Sequence, residues 1–98
     1  MIIEFFPKGV CSHRYLIEID DSNDTIKSCH IEGGCAGNLL GISKIIKDMK
    51  VQDVVKAFEG TKCGFKNTSC PDQISKALRQ YLDNKWLQFY DIYLRLSS

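Results

Sequence analysis

The chain alternates before it repeats. Residues 2–6, "IIEFF", form a short apolar run that predicts a first strand, and Pro7 and Gly9 then mark a turn. From Val10 to Asp20 the period is two. Tyr15, Ile17 and Ile19 fall on one face, Arg14, Glu18 and Asp20 on the other, and Leu16 interrupts the pattern. The same parity puts Cys11 and His13 on the Tyr15 face. "DSND" at 21–24 is a turn cluster, and "TIKSCHIE" at 25–32 reads as a third strand pairing back.

After "GGCAGN" at 33–38 the period changes to that of a helix. Leu39, Ile42, Ile46 and Met49 make one stripe, and Val54, Val55 and Phe58 make a second on a short helix from Val51 that Gly60 would end. A polar loop over 61–70 leads to a third helix with Ile74, Leu78, Tyr81 and Leu82 on its inner side. The order β-β-β-α-α-α predicts an α+β, two-layer fold: a three-stranded antiparallel meander followed by three helices that cover one sheet face. Residues 1–83 form the domain, and 84–98 form an apolar and aromatic, helical extension. Its Trp86, Phe89, Tyr90, Tyr93 and Leu96 either cover the core or offer a surface to a partner or a second copy.

Composition narrows the function classes. At 98 residues the chain is one small domain, with an apolar fraction of 44% that can supply a core. A net charge of +1 leaves no electrostatic footprint for nucleic acid or an anionic membrane. No apolar run approaches the ~20 residues of a membrane helix, and the N-terminus lacks the pattern of a secretory signal. The expected compartment is the cytoplasm, where thiols stay reduced. Five cysteines in such a chain point to metal or redox chemistry rather than to disulfides. No paired carboxylates or nucleophile–base pattern suggest a hydrolase, and no Gly-rich nucleotide loop is present. The chain is therefore not expected to be an enzyme on its own.

The thiols sort by position. Cys29 lies mid-strand on the parity of Ile31 and reads as a small apolar core residue. Cys11 stands at a strand start, Cys35 is flanked by Gly33, Gly34 and Gly37 before a helix, and Cys63 lies in the polar loop. Cys70 precedes Pro71 at a helix mouth, where either Ser69 or Cys70 itself is the cap and Asp72 can complete a capping box. Free N–H groups and the positive end of the helix dipole favour a thiolate there. Cys11, Cys35, Cys63 and Cys70 thus suit a tetrahedral zinc site, or a cluster, assembled from four segments. His13 is a possible substitute ligand. The spacings of 24, 28 and 7 residues contain no CxxC pair, so only an assembled site is open to this chain.

Three segments carry a resemblance. "PKGVCS" (7–12), "GGCAGNLLGISK" (33–44) and "CGFKNTSCPDQISKAL" (63–78), in that order, closely resemble the TSCPD domain family over roughly residues 7–82. The resemblance implies two settings: small stand-alone bacterial proteins, and the C-terminal region of some adenosylcobalamin-dependent ribonucleotide reductases. It thereby implies a possible role beside a ribonucleotide reductase, with the cysteines relaying reducing equivalents or recruiting the large subunit. A more distant likeness is to iron–sulfur cluster scaffold proteins, whose three cysteines Cys11, Cys35 and Cys70 look like. That family has an aspartate where this chain has His13, and nothing there corresponds to Cys63.

Overall fold

The computed structural model describes residues 1–34 and 36–97; for Ala36 and for 86–97 it describes the backbone course alone. Three strands come first: β1 Ile2–Phe5, β2 Ser12–Asp20 and β3 Thr25–Gly33. Three helices follow: α1 Ala36–Ile46, α2 Val51–Phe58 and α3 Cys70–Ser97. The sheet is an antiparallel meander in the order β1-β2-β3. This is the α+β arrangement that the switch in hydrophobic period predicts.

One core joins the layers. Tyr15, Ile17, Ile19 and Ile26 of the sheet pack with Ile46 of α1, with Val51, Val54 and Val55 of α2, and with Ile74 and Leu78 of α3. Register explains the choice of inward residues: Ile3 faces Ile17, Phe5 faces Tyr15, and Tyr15 faces Ile31. Cross-strand apolar pairs of this kind are the stabilising unit of a sheet. The other face is polar, and Arg14 bridges Glu4 of β1 and Glu32 of β3 across it. Cys29 pairs with Ile17 and is half-buried against the core, where burial pushes its thiol pKa up and the Ser43 hydroxyl works against that.

The strict alternation read for residues 10–20 fails at one place. The pairing of β2 with β3 shifts register between Ser12 and Arg14, which is a bulge. Ser12 therefore turns inward and is buried, as is Tyr15, while His13 and Cys11 are exposed. The expectation that Cys11 and His13 share the Tyr15 face is corrected by that extra residue.

The helices are stitched to the sheet by their connections. Ile26 donates its N–H to Met49 O, and Asp48 donates to Ile26 O. At the far end of β2, the Asp24 carboxylate accepts from Tyr81 Oη at 2.7 Å and Lys85 Nζ at 2.6 Å, holding α3 to the β2–β3 turn. Glu59 ends α2 by donating its N–H to Val55 O, and Gly60 beyond it takes φ +81.

Candidate functional site

The stretch "TSCPDQ" at 68–73 builds the start of α3, and every polar side chain in it has a partner. Ser69 is the cap: its hydroxyl accepts from the Asp72 N–H at 3.2 Å and donates to Thr61 O at 2.7 Å. Pro71 lies in the first turn, where a missing N–H costs nothing. The Asp72 carboxylate does not close a capping box. It accepts instead from the Gly60 N–H at 2.8 Å and from the Thr68 hydroxyl. These two donors hold Asp72 below the usual carboxyl range, and Lys76 adds to the effect. Gln73 donates to Thr68 Oγ1 at 2.9 Å and accepts from the Lys8 N–H at 3.2 Å.

Those last contacts carry the start of β2 onto the start of α3. A Cβ built on Gly9, at φ +75, would lie 3.2 Å from Thr68 Cγ2, so the turn before β2 rests on the loop before α3. Cys63 joins the same corner through its N–H, which donates to Thr68 O at 3.2 Å. Ser12 then touches two further segments. Its hydroxyl lies 2.7 Å from Tyr15 Oη and 3.4 Å from Cys70 Sγ. Gly34, at φ +76, passes so closely that an added Cβ would be 3.4 Å from Ser12 Cβ and 2.6 Å from Leu39 Cδ1. Gly34 and Cys70 thus meet at Ser12, the residue after Cys11, whose hydroxyl contacts the Cys70 sulfur and whose Cβ lies beside Gly34.

The family model for the TSCPD domain matches residues 1–82. The chain belongs to the TSCPD domain family. The match takes in β1, so it covers residues 1–6 as well as the segment from residue 7 that carries the first motif. It stops at residue 82, part-way along α3. No curated protein and no solved structure gave a match. The likeness to iron–sulfur scaffolds rests on the sequence alone.

Within this TSCPD domain the sequence-predicted ligands fare unequally. Cys70 is half-buried at the first turn of α3, with Ser12 at its sulfur. Cys11 and Cys63 are exposed on loops. His13 is exposed and lies over Gly33, whose φ of +81 and lack of a Cβ make room for the ring. Cys35 lies outside the described residues. Among the described residues no three His, Cys, Asp or Glu side chains stand close enough to hold a metal ion. No helix among them is long and apolar enough to cross a membrane. The side chains of Trp86, Phe89, Tyr90, Tyr93 and Leu96 also lie outside the described residues.

Two residues of the TSCPD corner escape sequence reasoning, Ser12 and Tyr15. Period-two parity assigns Tyr15 to the core and Ser12 to the opposite face, and a bulge leaves no local signature in "CSHRY" to reverse that. Tyr15 looks like plain core, yet its hydroxyl points at the site, 3.5 Å from Cys70 O. Burial pushes the Tyr15 phenol above its ordinary range, so it stays protonated. A cleft of about 320 Å³ opens between β3 and α1, lined by Cys29, Gly33, Gly34, Leu39 and Ser43 among others.

Proposed function

We propose that the protein is a small metal-binding module that takes zinc or an iron–sulfur cluster on the thiolates of Cys11, Cys35, Cys63 and Cys70, with His13 as a substitute ligand. The observation that carries this reading is the meeting at Ser12, which directly follows Cys11, lies against the neighbour of Cys35, and contacts the sulfur of Cys70. The backbone bond from Cys63 to Thr68 O ties the fourth thiol's loop to the same corner. Thiolates are the donors that zinc and iron–sulfur clusters take. The proposed site draws on Cys35 as well, since no three such ligands stand together among the described residues. Cys11 and Cys63 sit on exposed loops, where turning a side chain costs little. When bound, the metal would cross-link the turn before β2, the GGC turn and the loop before α3, and its binding energy would add to folding energy.

The test is elemental analysis of protein purified anaerobically from cells supplied with zinc and iron, with a thiol count on the same sample. The reading expects metal at about one site per chain. It also expects thiols that become titratable only after chelation, and a thermal midpoint that falls on chelation. Metal-free protein in which Cys11, Cys35, Cys63 and Cys70 are all freely titratable overturns it.

A further inference from the structure

We infer that Ser12 is a positioning residue for the Cys70 sulfur, with its hydroxyl held in line by Tyr15. The inference rests on the reading of Cys70 as a metal ligand.

The Ser12 hydroxyl is buried beside the core, with Ser12 3% exposed and Tyr15 fully buried. A hydroxyl taken out of water needs partners, and this one has two, Tyr15 Oη and Cys70 Sγ. The hydrogens can then be counted. Ser12 and Tyr15 each carry one donor hydrogen. A thiolate, free or metal-bound, can only accept, so Ser12 donates to the sulfur and Tyr15 donates to Ser12. A neutral thiol can donate to Ser12 Oγ instead. Ser12 then donates to Tyr15 Oη, and Tyr15 donates to Cys70 O at 3.5 Å. The three groups are satisfied in both arrangements, so the pair supports the sulfur in either state and leaves no buried hydroxyl orphaned.

Packing alone does not account for this geometry. A strand in regular register would point Ser12 outward and send its neighbours Cys11 and His13 inward. The bulge between Ser12 and Arg14 turns a hydroxyl toward the mouth of α3, and re-aiming one side chain beside a site is what bulges commonly do. Alanine at 12 would fill nearly the same space against Gly34 and would leave Tyr15 and the sulfur without their shared partner. Outer-shell hydrogen bonds of this kind orient metal ligands, and their removal weakens metal binding by about ten- to a hundred-fold.

The experiment uses the full chain with Ser12→Ala, Ser12→Thr and Tyr15→Phe. Zinc affinity is measured by competition with a chromophoric chelator. The S–H stretching band of Cys70 is measured by Raman spectroscopy in metal-free protein whose other four cysteines are serine. S12A is expected to weaken zinc binding by about ten- to a hundred-fold and to move the S–H band to that of an unbonded thiol. S12T restores both, and Y15F falls between. A band unmoved by S12A overturns the inference, as does a moved band with unchanged zinc affinity, because Ser12 would then only pack. If the parent protein binds no zinc, the metal-binding reading fails by itself and the band alone decides for or against Ser12.

Discussion

At the scale of single residues, the polar side chains around α3 act as fasteners, and Asp72 is the clearest case. It is 6% exposed and accepts from both the Thr68 hydroxyl and the Gly60 N–H. Asp72→Ala should cost roughly 1.5–3 kcal/mol at neutral pH, the range for hydrogen bonds to a charged group, read as a lower urea midpoint. The sign of the pH effect follows from the direction of the shift. The carboxyl sits lower in the folded chain than in the unfolded one. Its stabilisation is therefore complete above the unfolded value of about 3.9 and is lost as pH falls through the folded value. The gap in stability between the parent and D72A should hold from pH 7 to about pH 5 and shrink below about pH 4. A gap that stays constant down to pH 2 would show that Asp72 acts by packing alone.

At the scale of elements, the decisive pieces are the bulge in β2 and the glycine turn after β3. Gly34 combines φ +76 with a Cβ position 2.6 Å from the buried Leu39 side chain and 3.4 Å from Ser12. Alanine there must strain the backbone and push on both neighbours. Gly34→Ala is expected to cost about 1–3 kcal/mol in a denaturant titration, and it should disturb the corner where Ser12 meets Cys70. Gly37→Ala is the control, since nothing lies within 4 Å of its Cβ position and it sits inside α1; it should be neutral or mildly stabilising. Equal losses in the two variants would remove the special role given to the GGC turn.

At the scale of the whole molecule, stability comes from one core between the sheet and the helices. Leu78 of α3 is fully buried in it, whereas Leu40 of α1 is 57% exposed. Leu78→Ala should cost about 2–5 kcal/mol. Leu40→Ala should change stability by no more than about 0.5 kcal/mol, with both read from chemical denaturation. Much of this scale is legible in the sequence. The stripe Ile74–Leu78–Tyr81 and the alternation Tyr15–Ile17–Ile19 name the buried faces correctly, because burial on one face forces a period of two in a strand and 3.6 in a helix. The pattern also narrows the cap before Pro71 to Ser69 or Cys70, because a cap is a local structure written in adjacent residues, and the structure makes it Ser69.

The sequence by itself determined the element order, the α+β class, the core faces, the family, and the place of Cys70 at the start of α3. These depend on periodicity and on short-range geometry, which neighbouring residues carry. Only the tertiary structure decided that Ser12, not His13, turns inward, and that Asp72 reaches back to Gly60 and Thr68 rather than to the cap. It also decided that Gly34 and the mouth of α3 meet at Ser12, the first residue of β2. Each of these depends on contacts between residues far apart in the chain, such as Ser12 with Cys70 across 58 positions. A one-residue bulge reverses the facing of every side chain before it without altering composition or pattern. The thiol at the mouth of α3 is therefore written in the sequence, and the hydroxyl that supports it is set by the fold.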